Sequence, residues 1–289
     1  MKEKMGVVIE SIILEPKFTK EESSKVIIED EELELKKIKR KTLIGQVTLG
    51  ILIVALWEIL TRIGVMDSYY WSSPQIILQT SWVAITEGTL LTDMAFTSGA
   101  TILGFILGTV TGAILGLSFW WSKLYSSISE PYLVAFNSIP KLALAPVIVI
   151  LLGIGFSSKV ILAFLMVVIV TALAAHSGVK AVDPDLEKML FSLGAKRHQV
   201  FTKVVIPSSM PWIISSLKIN IALALAGTIV GEFIASRQGV GRMISYAGQI
   251  MDIDLVWVGV VVLSLLSIVM YLATVYLEKL LLKGASRKI

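Results

Sequence analysis

Long apolar segments recur along the chain and restrict the folds that it can adopt. Several of them run for about 18–25 residues with few charges, which is long enough for an α-helix to cross a hydrocarbon core of roughly 30 Å. The segments are continuous, whereas the strands of a membrane β-barrel alternate between apolar and polar residues over about ten positions. Together with a hydrophobic content of 55%, this pattern predicts an all-α integral membrane protein.

Six spans are predicted, at residues 42–61, 93–120, 128–153, 157–179, 208–231 and 256–278. The third contains Pro140, Lys141 and Pro146, so a kink or a break is expected there. Fifteen Lys and Arg residues lie on the side that holds both chain ends, against four on the other side. The positive-inside rule therefore predicts a multi-pass protein of the cytoplasmic (inner) membrane with both termini in the cytoplasm.

The first 41 residues differ from the rest, because they hold ten Lys or Arg and ten Asp or Glu. They are predicted to form a cytoplasmic tail, mobile or partly helical, whose last residues "KKIKRK" lie on the anionic inner leaflet. Residues 42–283 form the predicted transmembrane domain, with a core at about 90–280, and residues 284–289 form a short cytoplasmic tail.

Several classes of chemistry find no support in the sequence. The chain has no cysteine and two histidines, so no metal site is predicted. It has no G-x-x-x-x-G-K-[ST] loop, no G-x-S-x-G elbow and no H-E-x-x-H motif. We therefore expect no enzyme activity and no cofactor in this chain, and a net charge of +4 does not indicate nucleic-acid binding.

Small residues recur every four positions in the second predicted span. They begin at Ala100 and continue through Gly104, Gly108, Gly112 and Gly116. Such a flat stripe allows another backbone to approach closely. The favoured interpretation is helix packing within one subunit, and the alternative is a contact with a second copy of the chain.

An amphipathic loop separates the fourth and fifth predicted spans. Asp183 and Pro184 can begin a helix there, and Leu186, Met189, Leu190 and Leu193 place one apolar stripe along it. Gly194 interrupts this pattern, and a second short helix is predicted to end at Pro207. Such a ridge fits a groove on another protein. Composition alone, however, favours a helix that lies on lipid, with its basic residues at the headgroups.

The spacing of this loop resembles that of a known family. Gly194, Val204, Ile206 and Pro207 match the "EAA–G–I-LP" loop of binding-protein-dependent ABC importer permeases of the MetI-like type. "IPKLALAPVIVILLGIGFSSKV" at 139–160 and "GEFIASRQGVGRMI" at 231–244 resemble further blocks of the nitrate, sulfonate and taurine subfamily, in the same order. The similarity covers roughly residues 50–285. One departure is Lys188-Met189-Leu190, which stands where the family has Glu-Ala-Ala, with Glu187 one position earlier.

The resemblance implies a type I importer permease with six membrane helices. Its coupling helix, between the fourth and fifth spans, would dock on a cytoplasmic ABC ATPase dimer that binds ATP and Mg²⁺. A second permease copy, forming a homodimer, and an extracytoplasmic solute-binding protein would complete the assembly in the lipid bilayer. The residues implied in ATPase coupling are Glu187, Leu190, Leu193, Gly194, Ala195, Lys196, Arg197, Phe201, Val204, Ile206 and Pro207.

Other polar residues are weaker candidates for a role in transport. Asn137 and Lys141 are candidates for the translocation path, because a charge within a span is costly and often functional. Lys141 could instead pair internally or snorkel, and Lys218 in the fifth span is expected to snorkel. Glu232 is expected to pair with Arg237 or Arg242 and to shape an outer loop, in which Gly239 and Gly241 permit a tight turn.

The predicted function is ATP-driven import of a small solute, with an anion such as a sulfonate, taurine or nitrate preferred. The alternative is an ion-coupled secondary transporter, a class that often carries acidic residues near the midplane of its broken helices. Acidic residues are scarce at the predicted midplane.

Overall fold

The computed structural model of the chain describes residues 20–86 and 88–286. This part of the chain is helical, and its helices are α1 (Lys20–Arg62), α2 (Ser68–Trp71), α3 (Pro74–Thr86), α4 (Leu90–Ser118), α5 (Lys123–Ser138), α6 (Ala145–Leu152), α7 (Phe156–Lys180), α8 (Pro184–Ser192), α9 (Arg197–Val200), α10 (Ile206–Ile234), α11 (Val240–Gln249) and α12 (Ile253–Ser286). Short 3₁₀ turns occupy Phe119–Trp121 and Lys141–Leu144, and a π-helical turn spans Phe201–Val205.

The predicted spans correspond to long apolar helices. Within the described residues, five helices are long and apolar enough to cross a membrane, or six if the bent pair Lys123–Ser138 and Lys141–Leu152 counts as one span. The chain divides into two compact units, up to Asp67 and from Ser68 onward. In the first unit, α1 runs without interruption through the predicted boundary at residues 41–42. Residues 1–19 and 287–289 of the predicted tails lie outside the described residues.

The predicted break in the third span is confirmed. Helix α5 ends at Ser138, and the chain then turns by 76° at Pro140 into the segment Lys141–Leu152. Proline cannot donate a backbone hydrogen bond and its ring obstructs the preceding helical turn, so an interruption here is the expected outcome.

Helices α4, α7 and α10 pack together as the core of the second unit, with α7 between the other two. The glycine ladder of α4 lies against α7. A Cβ atom added to Gly108 would lie 2.7 Å from the Val167 Cβ, and one added to Gly112 would lie 2.7 Å from the Thr171 Cβ. The ladder therefore serves packing within one subunit, and the alternative of a contact with a second copy through Gly104, Gly108, Gly112 and Gly116 is wrong.

The other side of α7 packs against α10 in a similar way. A Cβ atom at Gly227 would lie 2.9 Å from the Leu162 carbonyl oxygen. Deeper in this interface, the Asn220 side-chain amide donates to the Thr171 hydroxyl at 2.8 Å. Close backbone approach and a few internal hydrogen bonds are the usual means of holding membrane helices together.

Besides the one-turn helix α2, two further helices were not predicted from the sequence. Helix α3 packs on α12, and next to it the Ser72 hydroxyl donates to Asp254 Oδ1 at 2.6 Å. Helix α11 follows the C-terminal end of α10 and buries Val240, Met243 and Ala247. Both helices are shorter than a membrane span, which explains why a search for long apolar runs does not find them.

Candidate functional site

The first half of the loop between α7 and α10 is the predicted amphipathic helix. Asp183 accepts a hydrogen bond from the Asp185 backbone N–H at 2.8 Å, which caps α8, and Pro184 occupies its first turn. A cap of this kind satisfies one of the free N–H groups at a helix start. The start of α8 thus lies at Asp183–Pro184, as the sequence predicts.

Gly194 forms the turn that ends α8. Its φ is +82°, its N–H donates to the Phe191 carbonyl at 3.0 Å, and the Ala195 N–H donates to the Leu190 carbonyl at 3.0 Å. This pair of bonds is the Schellman arrangement, in which glycine is favoured because its backbone is left-handed. A Cβ atom at Gly194 would meet no atom within 4 Å, so the turn is open on its outer side.

The second half of the loop is continuous with α10. The Gln199 side-chain oxygen accepts from the Lys196 N–H at 2.7 Å and helps to start α9. The π turn Phe201–Val205 then joins α9 to α10, with the Ile206 N–H donating to the Phe201 carbonyl. The prediction that the second short helix ends at Pro207 is therefore wrong. Pro207 lies in the first turn of α10, and the wider π turn before it tolerates the backbone N–H that proline lacks.

The apolar stripe of α8 faces away from the rest of the subunit. The exposed fractions are 44% for Leu186, 53% for Met189 and 75% for Leu193. Leu190 is half-buried, and Val205 in the π turn is fully buried. The loop therefore has one face packed on its own subunit and one uncovered apolar face.

The charged residues of the loop have different surroundings. Glu187 is half-buried and accepts from the Trp120 indole N–H at 2.9 Å, whereas Lys188 is exposed and pairs with Asp185 at 2.9 Å. The Arg197 guanidinium donates to the Trp121 carbonyl at 2.8 Å. Sequence reasoning missed both tryptophans, because they lie more than 60 residues away along the chain.

The two candidates for the translocation path lie together at the break in the third span. Lys141 Nζ donates to the Asn137 carbonyl oxygen at 3.0 Å and to its side-chain oxygen at 3.3 Å. Asn137 is exposed and Lys141 is half-buried. Both acceptors are neutral groups.

Three other ionisable groups of the long helices form contacts within the subunit. Lys218 does not snorkel as expected but pairs with Glu278 of α12 at 2.7 Å. Lys180 pairs with Glu130 of α5 at 2.6 Å, and His176 lies 3.5 Å from the same carboxylate.

The predicted outer loop is held by a buried carboxylate. Glu232 is 1% exposed and accepts from the Thr97 hydroxyl at 2.8 Å and from the Gly241 N–H at 2.8 Å. The expected pairing of Glu232 with Arg237 or Arg242 is therefore wrong. A Cβ atom on Gly241 would lie 2.8 Å from the Glu232 carboxylate, so glycine leaves room for it.

Two further buried residues strengthen this outer site and were missed. Asp93 is 1% exposed and accepts from the Gly239 N–H at 2.6 Å and from the Thr89 hydroxyl at 2.8 Å. Lys159, which lies at the start of the fourth predicted span, is fully buried and donates to the Ala235 carbonyl. Four chain segments are thereby joined at this end of the core.

Within residues 20–86 and 88–286, no three His, Asp or Glu side chains come close enough together to hold a metal ion. The arrangement of a broken span, an uncovered amphipathic loop and a loop fixed by buried carboxylates is suited to conformational change.

Comparison with known proteins identifies the family. The model of the binding-protein-dependent transport system inner membrane component matches residues 104–283. The chain belongs to this family. It is a transport permease subunit of the ABC importer type, and the alternative of an ion-coupled transporter is not supported.

Several curated relatives are similar to this permease over most of their length. The formylaminopyrimidine transport permease protein ThiX of Halalkalibacterium halodurans is 29% identical over 233 residues, which are 80% of this chain and 92% of ThiX. The riboflavin transport system permease protein RibX of Chloroflexus aurantiacus is 29% identical, covering 82% of this chain and 88% of RibX. The taurine transport system permease protein TauC of Escherichia coli is 26% identical, covering 88% and 96%.

A solved structure supports the fold of the permease. The inward-facing MetNI methionine ABC transporter matches with a TM-score of 0.57 at 20% identity, over 68% of this chain and 95% of that chain. The predicted MetI-like, all-α fold is confirmed.

Proposed function

We propose that this permease imports a small solute by coupling ATP hydrolysis in a partner ATPase dimer to movement of its core. The loop from Asp183 to Val205, termed the coupling loop, docks on that ATPase. Both termini lie in the cytoplasm. A solute-binding protein delivers the solute at the opposite face, and a second copy of the chain completes the translocation path.

One observation carries the docking proposal: the apolar stripe of Leu186, Met189 and Leu193 is exposed on a helix between two membrane spans. An apolar helix face of this kind binds a groove by inserting side chains at helical spacing. The Gly194 turn fixes the angle of this helix without covering it.

The connection to the core supports the same proposal. Helix α9, the π turn and α10 form one continuous helical segment from Arg197 to Ile234. A displacement at the coupling loop therefore reaches the outer loop at Ala235 without crossing a flexible joint. The family residues Ile206 and Pro207 lie within this segment.

We place the translocation path along the broken span. Lys141 carries a charge within a span, and such charges face a protein interior or a water-filled cavity rather than lipid. Asn137 lies beside it and is exposed within the single subunit. The second copy of the chain would close this face.

The solute class remains part of the proposal. The names of the relatives cover taurine and aliphatic sulfonates as well as formylaminopyrimidine and riboflavin. We favour a small anion such as a sulfonate, taurine or nitrate, because Lys141 offers an unneutralised cation beside the bend.

The test is uptake by proteoliposomes that contain the permease, its ATPase and its binding protein. We expect uptake to require ATP and to persist when an uncoupler removes the ion gradients. With ethanesulfonate, taurine and nitrate as probes, Lys141→Gln is expected to reduce uptake of the transported anion by about tenfold, because a charge-assisted contact is lost. Lys141→Arg, which keeps the charge, serves as the control.

Uptake of riboflavin or formylaminopyrimidine but of none of the anions would overturn the choice of solute and leave the ATP-driven function standing. Uptake that needs an ion gradient and no ATP would contradict the function itself.

A further inference from the structure

The 3₁₀ turn at the end of α4 contacts both halves of the coupling loop. The Trp120 indole N–H donates to Glu187 on α8, and the Trp121 carbonyl accepts from Arg197 on α9. The Arg197 guanidinium carbon lies 5.4 Å from the centre of the Trp120 ring and 5.7 Å from that of Trp121, which is the range of a cation–π contact.

An aromatic contact extends this attachment to the π turn. The Phe201 ring lies 5.5 Å from the Trp120 ring and 5.3 Å from the Trp121 ring, measured between centroids. Phe201 is the first residue of the π turn. Single π-helical turns are rare and occur frequently at functional sites. The residues Trp120, Trp121, Glu187, Arg197 and Phe201 are termed the aromatic clamp.

Ordinary anchoring at the membrane surface does not account for these contacts. Tryptophans at a membrane interface place their indole N–H at the headgroups. Here the Trp120 N–H is directed to a carboxylate of its own subunit, and a guanidinium lies over both rings. The two tryptophans are engaged with the coupling loop.

Helix α4 can pass a displacement on to the core, because its glycine ladder fits closely against α7. At Gly108 an added Cβ atom would lie 3.0 Å from the Phe164 carbonyl oxygen, so the two backbones are nearly in contact. Interfaces packed this closely move as units rather than deform continuously.

We propose that the aromatic clamp transmits movement of the coupling loop to α4, while the continuous helix transmits it to α10. These two connections are termed the two outputs of the coupling loop, and the clamp is the second. The proposal rests on the proposed ATPase docking and deepens it. Trp120, Arg197 and Glu187 are positioning residues of the transport cycle. In this arrangement Glu187 faces α4, and the ATPase contacts the exposed stripe of α8.

Two spin-label reporters can separate the two outputs, because the chain has no native cysteine. One label is placed at Leu115→Cys on α4, where the native side chain is 45% exposed. The other is placed at Ser208→Cys, an exposed position in the first turn of α10. The spectra of the permease–ATPase complex are compared without nucleotide and with Mg-ATP and vanadate.

In the wild-type background, we expect nucleotide to change both spectra. In Trp120→Ala, the change at position 115 is expected to fall by about fivefold or more, which is the scale of a typical coupling between sites. The change at position 208 and co-purification of the ATPase are expected to persist.

Arg197→Ala provides a second test on an exposed side chain, so the prediction does not depend on tolerance of Trp120→Ala. It removes the cation–π contact and the bond to Trp121 and is expected to reduce the response at position 115 in the same way. Glu187→Gln keeps an acceptor for the Trp120 N–H and is expected to retain the wild-type response.

The possible failures are distinguishable. If the ATPase co-purifies and both clamp variants keep the full response at position 115, the second output does not exist. If both reporters lose their response together, the clamp positions the whole loop and the separate output is refuted. If no ATPase co-purifies with the wild-type chain, the docking proposal is contradicted, and the clamp proposal that rests on it falls with it.

Discussion

Gly112→Ala is expected to prevent stable packing of α4 against α7. An alanine Cβ atom at this position would overlap the Val168 carbonyl oxygen and would lie 2.7 Å from the Thr171 Cβ, which is too close for two carbon atoms. Neither atom is the end of a flexible side chain that could move away. The helices would have to separate, at a cost of about 3 kcal/mol by comparison with other overpacked cores. The measurement is the yield and thermal stability of the detergent-solubilised protein.

Gly99→Ala is the matched control on the same helix. A Cβ atom at Gly99 would meet only the Phe156 ring, at 3.6 Å, which is an ordinary contact. We expect this variant to retain the stability of the wild type. Equal stability of the Gly112 and Gly99 variants would contradict the packing role of the ladder.

Glu232→Ala is expected to release the outer loop. The substitution leaves the Gly241 N–H without its buried acceptor and removes the acceptor of the Thr97 hydroxyl. Two hydrogen bonds to a carboxylate contribute about 3 kcal/mol or more together, and the cavity that remains adds to the loss. Helix α11 should then detach from its packed position for part of the time.

A cysteine at Ala247, which is fully buried on α11, reports this release. A membrane-impermeant maleimide is expected to label it slowly in the wild-type background and at least tenfold faster with Glu232→Ala. Glu232→Gln keeps the size of the side chain and one acceptor oxygen, so we expect an intermediate rate. Labelling at the wild-type rate in the alanine variant would show that Glu232 does not hold the loop.

Local sequence patterns predicted much of the fold. The bend at Pro140 follows from the chemistry of proline, and the turn at Gly194 from the left-handed backbone that glycine permits. The glycine ladder indicated close helix packing, although the pattern alone did not identify α7 as the partner. Each of these features depends on residues that are near one another in the chain.

Most of the features that were missed or misinterpreted depend on contacts between distant residues, and Pro207 is a local exception. Glu232 has two arginines within ten positions in the sequence, yet its carboxylate is bound by Thr97, which is 135 positions away, and by the Gly241 N–H. Asp93 and Lys159 were not singled out in the sequence, but tertiary packing buries both. The Pro207 interpretation failed because a π turn can carry a helix through a proline.

Co-purification of the ATPase tests the central claim, that the coupling loop docks on it, most directly. The permease is expressed in membranes with its ATPase, solubilised in mild detergent and captured in three forms: wild type, Gly194→Leu and Gly194→Asn. The left-handed backbone at Gly194 disfavours leucine by about 1–2 kcal/mol, whereas asparagine tolerates it. We expect the wild type and the asparagine variant to retain the ATPase. The leucine variant is expected to co-purify with roughly tenfold less ATPase, while its membrane insertion stays intact. Full retention by the leucine variant, or no ATPase with the wild type, would contradict docking through this loop.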